Sequence, residues 1–373
     1  MIFEMKILYD YQGLTQTVGG VSRCFCEYIK ELSKDNDVKV VCPHTRNVYM
    51  QDILGRKQSA LMRFPYAKEL TRKMAVPLNM ASAYFAVKKN DFDIFHPTMD
   101  WVFYYRNVIR KPYVLTIHDL IPEIYFAKEP EKHKTLSKWL PVRKACLEGA
   151  ARIMCVSEHT KNDLLYYYNF LAPDKIDVVY HGIDSFNGRY EGNSWGRYIL
   201  YVGQRGAYKN FQFAIDSLKP LLLEQQDLRV VCTGSQFSAE ENNFITNIGM
   251  SDRIVCAGFV DEITLASLYH HAQAFIYPSK YEGFGIPILE SFINGCPACI
   301  ANATCFPEVG GDAVSYFDPE DKDSILESVR KIITDDDFAD SLRAKGRERA
   351  KLFTWKAAAT KVLNCYKIAL QTP

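Results

Sequence analysis

Short apolar segments alternate with helical patterns along the whole of this 373-residue chain. Each short segment predicts a buried strand. The predicted strands cover residues 7–9, 38–42, 94–95, 114–117, 153–156 and 176–179, and then 199–202, 228–232, 254–255, 275–276 and 299–300. Regular alternation of strands and helices is typical of the α/β class, in which helices cover parallel sheets and ligands bind at the carboxyl ends of the strands.

A polar, glycine-rich segment at 187–195 interrupts this alternation and separates two sets of strands. Because the chain is long enough for two domains of ordinary size, it predicts two parallel-sheet domains that face each other across a cleft. We place the first domain at 1–190 and the second at 191–352. The remaining residues, 353–373, predict a helix with Thr354 as its N-cap. Its apolar face is formed by Trp355, Ala359, Val362, Tyr366 and Ala369.

The composition excludes several classes of protein. Lys and Arg total 45 against 44 Asp and Glu, so the chain lacks the basic excess of a nucleic-acid-binding protein. The first residues do not have the pattern of a signal peptide, and no apolar run is long enough to span a bilayer. Most of the eleven cysteines lie in strand-like apolar segments, as expected for reduced thiols in a cytoplasmic protein.

One stretch, residues 55–90, departs from the overall charge balance. It holds eight Lys and Arg residues and only one acidic residue, Glu69, with aromatic and aliphatic residues between them. Such a basic amphipathic stretch can bind an anionic membrane surface. A helix whose long cationic side chains pack along the core has the same pattern. The function inferred below favours peripheral membrane contact through this stretch.

The segment YEGFGIPILE, which begins at Tyr281, combines two carboxylates with two glycines and a helix start. It follows the predicted strand at 275–276, and Pro287 suits the first turn of a helix. Because a strand, a glycine turn and a helix N-terminus together bind anions, the segment predicts a phosphate site with Glu282 and Glu290 beside it. Acidic residues also occur near ordinary helix starts, where they complement the helix dipole, and this alternative stays open.

Two cations follow the first strand of the second domain, in YVGQRGAYKN at 201–210. Arg205 and Lys209 are placed beside Gly203 and Gly206 at the carboxyl end of the strand. A planar guanidinium and an ammonium group together suit a diphosphate, which we favour over a pair of surface charges.

Three features of the first domain complete the candidate site. Gly19 and Gly20 follow the first strand and permit a close backbone approach to a ligand. His118 ends the strand at 114–117, where a functional role is about as well supported as a structural one. No GxGxxG dinucleotide motif is present, and no residue pattern predicts a metal site.

Together these residues resemble the retaining glycosyltransferases of family 4, which have the GT-B fold of two Rossmann-like domains. The resemblance covers nearly the whole chain. It includes GGVSR, DIFHPT, TIHDL, VSEHTKNDL, HGID, YVGQRGAYKN, EGFGIPILE, PEVGGDA and the final helix that starts in FTW. The seven-residue interval between Glu282 and Glu290, joined to the Arg205 and Lys209 pair, is its most specific part.

The resemblance implies a role for each of these residues. Arg205 and Lys209 would hold the donor diphosphate, Glu290 the ribose, and Glu282 and His118 the donor sugar. Further donor-binding residues would be Gly19, Gly20, Gln204, Gly234, Ser235, Phe259, Val260, Gly283, Phe284, Gly285 and Ile286. The final helix would return to the first domain. One departure is that Arg205 is the second residue after Gly203 rather than the first, so that Gln204 would share its contact.

The implied reaction is transfer of a sugar from a nucleotide diphosphate to a glycan or lipid-linked oligosaccharide, with retention and without metal or other cofactor. In this family the second domain binds the donor and the first binds the acceptor. The HDL and YKN segments favour GDP-mannose as the donor, with uridine-linked sugars as the alternative. Two other functions stay open on this architecture: a sugar-nucleotide epimerase and a non-catalytic nucleotide- or glycan-binding subunit.

Overall fold

The computed structural model describes residues 4–54, 67–126 and 134–371. The chain divides into two compact units, Met1–Gly182 together with Trp355–Pro373, and Ile183–Thr354. The division falls earlier than 190, because Ile183 already donates its N–H to the carbonyl of Phe353, at 3.0 Å, within the second unit.

The first unit contains six parallel strands: β1 (Lys6–Tyr9), β2 (Asp37–Val40), β3 (Ile94–His96), β4 (Val114–Ile117), β5 (Arg152–Cys155) and β6 (Ile176–Val178). They form two three-stranded sheets, in the orders β2-β1-β3 and β4-β5-β6. A parallel bridge between Phe95 and Tyr113 links the two sheets, so β3 and β4 are neighbours. The strands end at the same edge, where the loops after β1, β3 and β4 meet.

Six helices belong to the described part of this unit: α1 (Gly20–Leu32), α2 (Val48–Leu54), α3 (Ala67–Lys89), α4 (Lys134–Gly149), α5 (Glu158–Tyr167) and the C-terminal α13 (Trp355–Gln371). Tyr366 on α13 fixes that helix to the sheet, since its hydroxyl lies 2.6 Å from both the Tyr9 hydroxyl and His96 Nδ1. Trp355 packs edge-on against Tyr28 of α1, with 6.1 Å between ring centroids. The C-terminal helix is therefore part of the first unit.

The second unit has one six-stranded parallel sheet. Its strands are β7 (Arg197–Tyr201), β8 (Leu228–Thr233), β9 (Ile254–Gly258), β10 (Ala274–Tyr277), β11 (Ala298–Ala301) and β12 (Ser315–Phe317), in the order β12-β11-β10-β7-β8-β9. The chain order reverses between β10 and β7, which pair directly. Ligands of open parallel sheets bind at such a reversal, beyond the carboxyl ends of the strands.

Seven helices cover this sheet: α6 (Phe211–Glu224), α7 (Ala239–Asn247), α8 (Glu262–His271), α9 (Ile286–Ile293), α10 (Phe306–Gly310), α11 (Lys322–Thr334) and α12 (Asp336–Ala350). The predicted α/β class with parallel sheets is confirmed, and each of the eleven predicted strands is present. β12 was not predicted, because Ser315–Phe317 is a three-residue strand in which only Phe317 is buried.

All eleven cysteines are free thiols, and ten of them are buried. Among the described residues, no helix combines the length and the apolar character needed to cross a membrane. Residues 55–66 of the basic stretch lie outside the described residues, so membrane contact through 55–90 stays a prediction.

Candidate functional site

The loops after β7 and β10 lie side by side at the reversal in the second unit. The Tyr201 hydroxyl, at the end of β7, donates to the Gln204 carbonyl at 2.9 Å and so fixes the first loop. The Lys280 N–H donates to the Tyr208 carbonyl at 2.8 Å and joins the second loop to the first. The neighbouring strands β7 and β10 therefore present both predicted binding segments at one edge of the sheet.

Lys209 and Glu282 form an ion pair between these loops. Lys209 Nζ lies 2.5 Å from Glu282 Oε1, and the Tyr277 hydroxyl donates to the same oxygen at 2.8 Å. The side chains of Lys209 and Glu282 are 17% and 12% exposed, so the pair is largely shielded from water. Burial raises the pKa of Tyr277 well above its usual value, and the adjacent Glu282 carboxylate raises it further. Tyr277 is therefore a constant hydrogen-bond donor to Glu282.

The Arg205 guanidinium pairs with Glu241, whereas Lys209 pairs with Glu282. Its Nε lies 2.8 Å from Glu241 Oε1, and its Nη2 donates to the carbonyls of Ser235, at 2.5 Å, and Gln236, at 3.2 Å. The guanidinium carbon lies 4.9 Å from the centre of the Phe237 ring, and only 2% of the Arg205 side chain is exposed. Arg205 thus joins the end of β7 to the loop after β8 and the first turn of α7.

Glu241 is itself part of a capping box at the start of α7. Its second carboxylate oxygen accepts the Ser238 N–H at 2.7 Å, while the Ser238 hydroxyl accepts the Glu241 N–H at 3.1 Å. Burial alone would raise the pKa of Glu241, but the hydrogen bonds from Ser238 and Arg205 outweigh it and lower that pKa. The ion pair of Arg205 and Glu241 is therefore part of the structure of the loop.

A cavity of about 840 Å³ lies against this loop at the carboxyl ends of β7 and β8. Among its lining residues are Gly203, Gln204, Gly234, Ser235, Gln236, Glu240 and Phe259. Gly234 has φ 108°, and a Cβ there would lie 2.9 Å from the Gly203 carbonyl oxygen, so only glycine lets the two strand ends approach so closely. Phe259 is 88% exposed beside the cavity, and Val260 follows it.

The start of α9 has the glycine turn and helix N-terminus on which the anion-site prediction depends. Gly283 and Phe284 lead into Gly285, which has φ 95° and stands as the N-cap before Ile286. Glu290, one turn into the helix, accepts a hydrogen bond from the Tyr269 hydroxyl at 3.3 Å. The first turn of α9, Glu282 and Glu290 therefore belong to one strand–turn–helix segment, as the sequence predicts.

The residues predicted in the first unit lie at the carboxyl edge of its strands. His118 follows β4 and packs between Phe25 and His181, at centroid distances of 5.9 and 5.7 Å. Its Nε2 is shielded from solvent and has no hydrogen-bond partner among the described residues. Gly20 begins α1. Gly19 precedes it and packs against Gln16, since a Cβ on Gly19 would lie 2.6 Å from Gln16 Oε1.

His118 is expected to make the protein less stable in acid. Burial first, and the nearby Arg143 second, lower the pKa of His118 to about 4. An unfolded histidine titrates near 6.5. Between pH 6.5 and 4 the unfolded chain therefore binds a proton that the folded protein does not, and stability falls as pH falls, by up to about 3 kcal/mol. Denaturant unfolding between pH 4.5 and 7.5 should show a weaker pH dependence in His118→Gln. His159→Gln, on α5, is the control.

The buried charged residues of the first unit, among them Asp10 and Arg143, were not predicted. Asp10 follows β1 and accepts hydrogen bonds from Gln12 Nε2 at 2.6 Å, Thr98 Oγ1 at 2.7 Å and the Tyr105 hydroxyl at 3.0 Å. Burial raises the pKa of Asp10, and these hydrogen bonds oppose the shift. The position of Asp10 at a strand end was a usable signal.

Arg143 gave no such signal, because it lies within a helical pattern. Its Nη1 donates to both oxygens of Glu123, at 2.7 and 2.8 Å, and its Nε lies 2.6 Å from Asp100 Oδ2. Its Nη2 donates to the carbonyl of Asp119, the residue after His118, at 3.1 Å. Within the described ranges, no group of three or more His, Cys, Asp or Glu side chains is arranged to hold a metal ion.

Comparison with known proteins adds to this geometry. The model of the family "Glycosyltransferase Family 4" matches residues 18–185, and that of "Glycosyl transferases group 1" matches residues 189–349. The chain is 25% identical to the O-antigen chain mannosyltransferase B of Escherichia coli, over 98% of this chain and 100% of that protein.

Two solved structures share the fold over nearly their full length. Sucrose-phosphate synthase from Thermosynechococcus elongatus superposes with a TM-score of 0.74 and 20% identity, covering 97% of this chain and 98% of that one. HepE from Anabaena, solved with UDP and glucose, gives a TM-score of 0.71 and 17% identity, covering 97% and 99%. Since the two family models together match both units of the chain, and these neighbours share its architecture, the chain belongs to the family 4 glycosyltransferases and has the GT-B fold.

Proposed function

We propose that this glycosyltransferase moves a hexose from a nucleoside diphosphate to a glycan or lipid-linked oligosaccharide, with retention at the anomeric carbon. The observation that carries the proposal is the ion pair of Lys209 and Glu282 at the reversal of the sheet, beside the first turn of α9. GDP-mannose is the donor that we favour, since the relative from Escherichia coli is a mannosyltransferase. HepE, which was solved with UDP and glucose, supports a nucleoside diphosphate at this fold.

The departing diphosphate needs positive charge, and Lys209 supplies it. An ammonium group has three N–H donors, and Glu282 Oε1 accepts from only one of them. The other two are left for phosphate oxygens, and the positive end of the α9 helix dipole adds to the favourable charge. A preorganised set of donors stabilises charge as it develops in the transition state, because no solvent has to reorganise.

The state of Glu282 favours a same-face reaction. A carboxylate whose Oε1 accepts from both Lys209 and Tyr277 is a weak nucleophile, but its Oε2 is suited to accept a hydrogen bond from a sugar hydroxyl. We infer that the acceptor oxygen attacks the anomeric carbon on the side from which the diphosphate leaves. The leaving phosphate takes the acceptor proton, and retention follows without a covalent enzyme intermediate. His118 stays a predicted contact of the donor sugar.

We also infer that the enzyme works in the cytosol, at the inner face of the membrane when its acceptor is lipid-linked. Eleven free cysteines, ten of them buried, are in keeping with a reducing compartment.

Ligand-dependent unfolding and product analysis test this function together. We expect GDP to raise the melting temperature more than UDP; at 100 times its Kd, a ligand adds about 2.7 kcal/mol of stability. Incubation with radiolabelled GDP-mannose, with and without oligosaccharide, should then release GDP and label the oligosaccharide. An epimerised donor without transfer would indicate an epimerase, and binding without turnover would indicate a non-catalytic subunit. Tighter binding of UDP than of GDP would indicate a uridine-linked donor for the same transfer reaction.

A further inference from the structure

Four aromatic side chains form a cluster at the carboxyl edge of the first unit: Trp101, Phe103, Tyr104 and Trp139, here called the aromatic platform. The rings of Trp101 and Trp139 are nearly parallel, at 4°, with 5.9 Å between centroids. Phe103 lies 6.0 Å from Trp101 and 6.2 Å from Tyr104. Phe103 is 37% exposed and Tyr104 50% exposed, so this cluster is not part of the core.

Buried polar contacts hold the platform loop in place. Trp101 accepts a hydrogen bond at its carbonyl from Gln12 Nε2, at 2.8 Å, and the same nitrogen donates to the buried carboxylate of Asp10 at 2.6 Å. The Tyr105 hydroxyl, next to the platform, also donates to Asp10, at 3.0 Å. A buried carboxylate is costly unless it is fully hydrogen-bonded. Here it fixes a loop in which Phe103 and Tyr104 stay partly exposed although the Arg106 guanidinium lies 3.7 Å from the centre of the Phe103 ring. Such a fixed, partly exposed loop suits a preformed binding surface.

The same network joins the platform to the loop of His118. Asp100, which precedes Trp101, lies 2.6 Å from Arg143 Nε. Arg143 donates to the carbonyl of Asp119 at 3.1 Å, and its guanidinium carbon lies 4.9 Å from the centre of the Trp139 ring. The platform and the His118 loop thus follow the neighbouring strands β3 and β4 and share one buried cation.

We propose that the aromatic platform binds sugar rings of the carbohydrate acceptor, for which α-linked mannotriose is the probe. This inference rests on the proposed function, because it gives the acceptor oligosaccharide its place. The face of an aromatic ring is electron-rich, so it attracts the polarised C–H groups on the apolar face of a sugar and shields them from water. A rigid aromatic side chain does so at a small cost in conformational entropy. The platform loop shares Arg143 with the loop of His118, a predicted contact of the donor sugar, and this favours the substrate over a protein partner.

Kinetics of transfer to α-linked mannotriose test the platform. In Tyr104→Ala we expect the KM for mannotriose to rise about 10-fold, while kcat at saturating mannotriose and the Kd for GDP stay unchanged. Tyr104→Phe keeps the ring and should keep the KM. Tyr166→Ala is the matched control, since Tyr166 is 79% exposed on α5 of the same unit, outside the platform.

Tryptophan fluorescence gives a second measurement that does not need turnover. Mannotriose should change the emission of the unaltered protein, and Trp139→Phe should reduce that change, whereas Trp195→Phe in the second unit should keep it. The platform proposal is overturned if Tyr104→Ala leaves the KM unchanged, or if the protein binds GDP and not mannotriose. Failure to bind any nucleoside diphosphate would instead contradict the proposed function.

Discussion

Replacing Lys209 with alanine is expected to lower kcat about 100-fold, or roughly 3 kcal/mol in the barrier, and to leave the KM for the acceptor unchanged. Lys209 is the cation at the reversal of the sheet, between the loops after β7 and β10. In the proposed mechanism its charge acts on the diphosphate as the glycosyl bond breaks, so its loss should affect the transition state more than the binding of the acceptor. Steady-state transfer from GDP-mannose measures both constants.

The same substitution leaves Glu282 without its cation. The Glu282 side chain is 12% exposed and would keep the Tyr277 hydroxyl on Oε1 but no cation there, so unfolding should also become easier, by about 1–3 kcal/mol. Lys280→Ala is the matched control: Lys280 lies in the neighbouring loop and pairs with Glu320, with side chains 37% and 74% exposed. Such an exposed pair contributes little. Normal turnover in folded Lys209→Ala would overturn the role of Lys209 in the proposed mechanism.

The sequence predicts the fold well because buried parallel strands are short apolar runs, and each of the eleven runs became a strand. It also places the candidate loops at strand ends, as in the pairing of β7 with β10. It misses β12, whose Ser315 and Tyr316 are only partly buried. Short apolar runs in the sequence identify strands that are wholly buried, but they do not identify a strand that is only partly buried.

The sequence does not show which carboxylate each cation of the site will meet. Lys209 and Arg205 stand in one loop, but their partners Glu282 and Glu241 come 73 and 36 residues later. These pairs depend on how β8 and β10 flank β7, which only the folded sheet determines. The resemblance predicts that Arg205 and Lys209 bind one diphosphate together. In the folded protein, Arg205 is instead enclosed by protein groups, which the local sequence does not show. Its direct contact with the diphosphate stays a prediction.

Replacing Arg205 with methionine is expected to lower stability by about 3–5 kcal/mol and to weaken nucleotide binding at least 10-fold. The substitution leaves the Glu241 carboxylate without its cation and releases the carbonyls of Ser235 and Gln236, which line or adjoin the cavity of about 840 Å³. Thermal unfolding and calorimetric titration with GDP measure the two effects. Arg343→Met is the control: Arg343 pairs with Asp340 on α12, with side chains 30% and 74% exposed.

Glu241→Gln separates the two roles of Arg205, as a ligand of the diphosphate or as support for the cavity loop. If Arg205 acts through the loop, the glutamine variant loses the ion pair at 2.8 Å and should weaken GDP binding in parallel with Arg205→Met. If the guanidinium contacts the diphosphate, removing its competing carboxylate should leave GDP binding unchanged or strengthen it. We expect the parallel loss, because the Arg205 side chain is only 2% exposed and already donates to Glu241 and to the carbonyls of Ser235 and Gln236. Equal or tighter GDP binding in Glu241→Gln would instead assign Arg205 to the diphosphate itself.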